Sequence, residues 1–189
     1  EVLLDGLGRL ERLVEEEFNG LYLDQIRQLM FKVRMFGMHF ASLDIRQDAR
    51  VVKKAFLALL EAQSGAAAVA AFESMSEAEA LDFLFAYDQP HHGTLEEDRH
   101  QDVLDSLRAM QEIQRHNGEA GCHRFILSNC AGAMDIAILH AMVKASGWEG
   151  PMTLDLVPLF ESIQDLDGAK AEMAKLYTHP VYALSLIHI

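Results

Sequence analysis

Apolar residues recur at helical spacing through the first part of the chain. The opening segment has them on one helix face, at Leu3, Leu7, Leu10 and Val14. A second run with the same period extends from Leu21 to about Met35, where Gly37 interrupts it. The pattern therefore predicts that two helices lead the chain.

Three later segments are short, rich in apolar residues and end in polar residues, which is typical of buried strands. They are Phe40 to Ile45, Arg124 to Cys130, and Leu154 to Phe160. Each is followed by a helical pattern, so the chain repeats a strand and then a helix. This order is what a parallel sheet with crossover helices requires.

Helix boundaries are predicted from capping residues and glycines. The helix after the first strand runs from about Asp48 to Gln63 and stops at Gly65, and the helix after the third strand is capped by Asp165 or Asp167. Two capping-box patterns predict further helix starts, at Ser76 to Glu79 and at Thr94 to Glu97.

In a β/α barrel the carboxyl ends of the strands converge on one face, which holds the active site. The three predicted strand ends carry polar groups, at Asp44 to Gln47, Ser128-Asn129 and Glu161-Ser162. An arginine and a carboxylate brought together there suit a phosphorylated substrate and a divalent metal. The plainer alternatives are that Arg46 pairs with Asp44 or Asp48 on the surface, and that Glu161 is an acid favoured by a helix dipole.

Composition narrows the classes of function. The chain has 189 residues, half of them apolar, and a formal net charge of −13, which argues against a nucleic-acid partner. There is no run of about 18 uncharged apolar residues, so no membrane partner is predicted. Two cysteines eight residues apart fit neither a zinc ribbon nor a disulfide scaffold and favour a reducing, cytoplasmic location.

Three motifs in order give the chain a specific resemblance. The run FGMHFASLDIRQDARVV resembles the strand of phosphoenolpyruvate carboxylases that ends in Leu-Asp-Ile/Val-Arg-Gln, and VPLFESIQDL resembles that family's Pro-Leu-Phe-Glu-Thr motif. Between them, ILSNCAGAMDIAILHAMVKASG is similar to the family's intervening strand and helix. The similarity covers about Leu21 to Tyr182.

The resemblance implies a cytoplasmic, usually homotetrameric lyase that joins bicarbonate to phosphoenolpyruvate, giving oxaloacetate and phosphate with Mg²⁺ or Mn²⁺. It implies that Glu161 is a metal ligand and that Arg46 is catalytic and binds the substrate phosphate, with Gln47 also on the substrate side. The fold implied is a helix-dominated α/β chain, a partial (β/α)8 TIM-type barrel with about three parallel strands and additional helices.

The chain also departs from the family pattern. Gln164 stands where the family has an acid and Ser162 where it has Thr, and the motifs bearing the catalytic His, the second metal ligand and the glycine-rich loop do not occur. We therefore expect an inactive fragment, with residues 1–183 forming part of the barrel domain. Residues 184–189, LSLIHI, resemble a translated sequencing adapter and are predicted to be non-native read-through.

Two other classes stay open at this point. A different metal-dependent lyase or aldolase on the same barrel would also place Arg and Glu at strand ends. The third class is a non-enzymatic helical interaction domain, in which the strands are over-interpreted. Parallel strands in the structure would argue against that third class.

Overall fold

The computed structural model of the chain describes residues 2–37 and 39–185. Its residues group into two compact units, Glu1–Ser42 and Leu43–Ile189. The first unit contains the two predicted helices, α1 (Val2–Glu17) and α2 (Leu23–Phe36). They pack through a small buried cluster of Leu7, Ile26 and Met30.

Among the described residues, the second unit holds a three-stranded sheet with helices packed on one face. In chain order its elements are β1 (Asp44–Asp48), α3 (Ala49–Ser64), α4 (Ala66–Glu73), α5 (Glu77–Phe85), α6 (Asp98–Asn117), a short 3-10 turn (Glu119–Gly121), β2 (Arg124–Ser128), α7 (Ala133–Ala145), β3 (Asp155–Pro158), α8 (Ile163–Thr178) and α9 (Pro180–Ser185). The helix-dominated α/β class is thus confirmed.

All three strands are parallel and lie side by side in the order β1-β2-β3. Asp44 pairs with Arg124, and Arg124 pairs in turn with Asp155, so the strands start level with one another. Their carboxyl ends therefore also meet at one edge of the sheet. Because the sheet is parallel, an isolated helical interaction domain is not favoured.

The first strand begins four residues later than predicted. Phe40 is 78% exposed, has a left-handed backbone (φ 63°) and stacks on Phe36, so the apolar segment from Phe40 turns the chain instead of pairing in the sheet. The polar segment Asp44–Asp48 can form a strand because only one face of that strand is covered, which leaves its charged side chains in contact with water. Ile45 packs against the core, whereas Asp44 and Arg46 lie on the open face.

Helices cover the other face of the sheet. The central one is α7, in which ten of thirteen residues are buried, and it packs against α3, α5, α6 and β3. A helix that is apolar all round is expected at such a position. The largest fully buried side chains of this core include Phe56, Leu59, Leu84, Leu104, Phe125, Leu127, Ile136 and Leu139.

Side-chain caps are present at the starts of α3, α5 and α8. Asp48 accepts a hydrogen bond from the Arg50 N–H at the start of α3, and Ser76 and Glu79 form the predicted capping box. The box predicted at Thr94 is wrong, since α6 starts after Glu97 without a side-chain cap. The cap of α8 predicted at Asp165 or Asp167 is also wrong. The N-cap is Ser162, whose side chain accepts a hydrogen bond from the Asp165 N–H.

Along the described residues, none of the helices is both long and apolar enough to span a membrane. The predicted boundary at Leu184 falls inside α9, and residues 186–189 lie outside the described part of the chain. The read-through assignment of residues 184–189 therefore stays a prediction, as does a single domain over residues 1–183.

Candidate functional site at the carboxyl ends of the strands

Each of the three parallel strands delivers a polar side chain to one edge of the sheet. Arg46 and Asp48 come from β1, Asn129 directly follows β2, and Glu161 stands three residues beyond β3. Because parallel strands end at a common edge, groups from positions 115 residues apart in sequence meet there. We call these four residues the rim cluster.

Arg46 and Glu161 are in direct contact. The Arg46 Nη2 donates to Glu161 Oε1 at 2.6 Å, and the side chains are 56% and 34% exposed respectively. At this exposure an ion pair contributes at most about 1 kcal/mol to stability, because water competes for both charges. The two side chains that the strand ends were predicted to bring to one edge therefore meet in an ion pair, whereas Arg46 does not pair with Asp44 or Asp48.

Asn129 joins the two carboxylates of the rim cluster. Its backbone N–H donates to Glu161 Oε2 at 2.9 Å, and its side-chain Nδ2 donates to Asp48 Oδ2, also at 2.9 Å. Both oxygens of Glu161 thus accept one hydrogen bond each, from Arg46 and from Asn129. A carboxylate oxygen has a further lone pair, so Glu161 still has acceptor capacity.

Asp48 is held as an anion. The Arg50 side chain donates to it, at 2.9 Å from Nε to Oδ1, and this contact is the main cause that keeps the pKa of Asp48 well below its ordinary value. The Arg50 N–H and the Asn129 amide lower the pKa further, against the opposing effect of burial. The Asp48 carboxylate of the rim cluster therefore stays ionised at neutral pH.

Two residues of the first motif lie away from the rim cluster. Asp44 was expected at the strand end with Arg46, but it begins β1 and pairs with Arg124 at the opposite edge of the sheet, at 3.1 Å. The expectation failed because the strand starts later than its apolar pattern indicates. Gln47 is half-buried and alternates with Arg46, which puts it on the helix-covered face with Ile45. Its substrate role stays a prediction.

The donor set of the rim cluster fits a divalent metal only in part. Glu161 supplies a hard oxygen of the kind that Mg²⁺ and Mn²⁺ prefer. Within residues 2–37 and 39–185, however, no group of three or more His, Cys, Asp or Glu side chains could hold a metal ion. Glu161 fits as one ligand, and a complete site would need ligands from outside the described residues.

Asn129 is the residue of this site that sequence reasoning noted but gave no role. It was recognised as a polar group after the second strand, yet nothing in the local pattern shows that its N–H points at a carboxylate 32 residues away. The available signal was its position, because a polar residue directly after a parallel strand lies at the same edge of the sheet as the other strand ends.

Comparison with known proteins identifies relatives over almost the whole chain. The family model described as phosphoenolpyruvate carboxylase matches residues 3–188. The phosphoenolpyruvate carboxylase of Azoarcus sp. (strain BH72) is 33% identical in an alignment of 189 positions that covers 95% of this chain and 20% of that protein. Those of Synechocystis sp. and Nitrosomonas eutropha are 26% and 29% identical, covering 98% and 92% of this chain. The chain spans about a fifth of the length of these curated relatives.

Proposed function

The chain belongs to the phosphoenolpyruvate carboxylase family, and from that premise we propose that it is part of a longer carboxy-lyase. That protein joins bicarbonate to phosphoenolpyruvate and releases oxaloacetate and phosphate. The observation that carries the proposal is the 2.6 Å contact between Arg46 and Glu161 at the carboxyl ends of parallel strands. The two side chains are the ones that the family motifs single out.

The three-stranded sheet is proposed to be one arc of a TIM-type barrel. Its helices cover one face, and the other face carries the exposed charged groups Asp44 and Arg46. In a closed barrel the uncovered face points inward, and its upper rim is where substrate binds. Further strands of the longer protein would complete the ring and cover the free edges of β1 and β3.

Arg46 is suited to hold the phosphoryl group of the substrate. Its guanidinium has five N–H donors in a planar fork, and Nη2 uses one of them on Glu161. The remaining donors can bind phosphoryl oxygens, for which arginine geometry is well matched. Binding there favours the attack of bicarbonate on phosphorus, because the guanidinium positions the phosphoryl group and offsets the negative charge spread over its oxygens.

Glu161 is proposed to be one ligand of Mg²⁺ or Mn²⁺. The metal, when bound, would stabilise negative charge on the enolate oxygen that forms as the phosphoryl group leaves. The role of Glu161 itself is to present a fixed carboxylate at the rim, oriented by Arg46 and by the Asn129 N–H. The positive charge of Arg46 also offsets the negative charge of the Glu161 carboxylate, which would otherwise repel the enolate.

The longer protein is further proposed to be a cytoplasmic homotetramer that needs no organic cofactor. The 189-residue chain by itself is expected to be inactive, because it lacks the motifs with the catalytic His, the second metal ligand and the glycine-rich loop. With Glu161 as the metal-binding carboxylate, a divalent ion would stay mostly hydrated. Its metal affinity should accordingly be weak.

Product analysis tests this proposal. The longer protein should convert phosphoenolpyruvate and labelled bicarbonate to equal amounts of labelled oxaloacetate and phosphate, with a divalent metal present, and the 189-residue chain should form neither. A metal-dependent lyase or aldolase would act without bicarbonate. Substrate-dependent fixation by the isolated chain would show that the missing motifs are dispensable and would refute the assignment of an inactive piece.

A further inference from the structure

We propose that Asn129 is a positioning residue, which fixes the carboxylate of Glu161 through its backbone and is itself fixed through its side chain to Asp48. The inference rests on the proposed function, because the proposed function gives Glu161 its metal-binding role. It goes beyond that function because no motif of the sequence gives residue 129 a task. Two hydrogen bonds of 2.9 Å, one from the backbone and one from the side-chain amide, carry it.

The backbone of Asn129 is in a conformation that most residues avoid. Its φ of 51° lies in the left-handed region, which Asn tolerates better than other residues with a Cβ atom. The conformation occurs directly after β2, at the point where the chain leaves the strand. There it turns the peptide that follows, so that Cys130 donates its N–H to the Leu159 carbonyl while the Asn129 N–H donates to Glu161.

The side chain of Asn129 secures this conformation to the neighbouring strand. Its Nδ2 donates to Asp48 Oδ2, and Asp48 is in turn held by the Arg50 side chain and by the Arg50 N–H. Asp48 is the last residue of β1 and also the N-cap of α3, so it has little freedom of its own. Asn129 thus connects Asp48, at the end of β1, with the Glu161 carboxylate that follows β3.

Glu161 depends on this support because its surroundings are open. Its side chain is 34% exposed, and its two oxygens are held by an exposed arginine and by the Asn129 N–H. Of these two donors, the backbone N–H is the one that cannot rotate away without a change of the chain itself. Partners that orient a metal-binding carboxylate change metal affinity roughly 10- to 100-fold when they are removed.

Three substitutions separate the two contacts. Asn129→Gly keeps the left-handed backbone accessible but removes the amide that binds Asp48. Asn129→Ala removes the amide and also disfavours the left-handed backbone. Asn129→Asp keeps the shape and the backbone preference, but replaces the donor with a carboxylate that faces Asp48. The order of disruption at Glu161 should therefore be Gly least, with Ala and Asp greater.

The first measurement uses the 189-residue chain without metal at pH 7. In Asn129→Ala and Asn129→Asp, the Glu161 side-chain carboxyl ¹³C signal should shift, and hydrogen exchange of the residue 129 amide should accelerate roughly tenfold. Glu172, which accepts the Ala133 N–H at 2.9 Å, is the matched internal control and should keep its signal. An unchanged Glu161 signal in both variants would overturn the proposal.

The second measurement uses the longer protein. The apparent Mn²⁺ constant should rise roughly tenfold or more in Asn129→Ala, and the KM for phosphoenolpyruvate should change less. Asn129→Gly should fall between this variant and wild type. An active protein whose Mn²⁺ constant is unaffected would overturn the positioning role. If the wild-type longer protein were inactive, the proposed function would fail. The Glu161 carboxyl signal of the 189-residue chain would still test whether Asn129 positions Glu161.

Discussion

Acidification should destabilise the chain through His140, a buried histidine in the central helix α7. The ring is 4% exposed, packs edge-on against Phe85 with centroids 5.1 Å apart, and its Nδ1 has no hydrogen-bond partner among the described residues. Burial is the main cause that lowers the pKa of His140 to about 4, and the charge of Lys144 lowers it further. His140 is therefore neutral in the folded chain at pH 7.

The magnitude follows from linkage. In the unfolded chain a histidine takes up its proton near pH 6.5, whereas folded His140 takes it up only near pH 4. Between these values the unfolded state binds more protons, so stability is full above about pH 6.5 and falls as the pH is lowered. A difference of about 2.5 pKa units corresponds to roughly 3 kcal/mol lost by pH 4.

Urea unfolding of the 189-residue chain at pH 7, 6, 5 and 4 measures this loss. His140→Gln removes the titrating ring, and its free energy of unfolding should fall less on acidification than that of wild type, by up to roughly 3 kcal/mol. His116→Gln, the same substitution at a side chain that is 68% exposed, is the control. Equal pH dependence of wild type and His140→Gln would refute the reasoning.

Three further predictions concern the core, a helix cap and the thiols. Leu59→Ala should lower the free energy of unfolding by about 3 kcal/mol in urea titrations, because Leu59 is fully buried, whereas Leu166→Ala at a 64% exposed site should lower it by well under 1 kcal/mol. Ser76→Ala removes the capping box of α5 and should lower stability by about 1 kcal/mol, and an unchanged urea midpoint would contradict the cap's contribution. Burial raises the pKa of Cys130 to about 12 and also raises that of Cys122, so neither thiol should react with a disulfide reagent at pH 8 until urea unfolds the chain.

The sequence predicted most of the helices because their signals are local. Asp48 and Gly65 bracket α3, and the Ser76 capping box starts α5, as their side chains and backbone preferences require. The helix α4 (Ala66–Glu73) was missed, since its Ala-rich segment has no polar face to give a period. The Thr94 pattern misled because α6 begins only at Asp98, and the Leu95 N–H next to Thr94 donates to the Gln101 side chain instead.

The strand β1 shows why a pattern of apolar residues can place a strand wrongly. Phe40 and Leu43 are apolar but exposed in the structure, and the strand is formed by the polar residues after them. Pairing with β2 decides the position of β1, and the sequence near β1 carries no information about that partner. The same error moved Asp44 to the wrong end of the strand.

Part of the candidate site could be predicted, and the prediction came from a rule about parallel sheets and not from local patterns. Arg46 and Glu161 were placed together by the rule that parallel strand ends share an edge, together with the family motifs, and the rule holds over 115 residues of sequence. Asn129 could not be given a role in the same way. Its contacts depend on a left-handed backbone and on the distance between two loops, which only coordinates provide.

Substitution of the two motif residues in the longer protein tests the role of the rim cluster most directly. Arg46→Gln should raise the KM for phosphoenolpyruvate roughly tenfold or more, since a hydrogen bond to a charged group is lost, and Glu161→Gln should raise the apparent Mn²⁺ constant by a similar factor. Arg124→Gln breaks an ion pair of the same sheet at its opposite edge and should change both constants less than about twofold. If Arg46→Gln and Glu161→Gln behave like Arg124→Gln, the rim cluster is not the site.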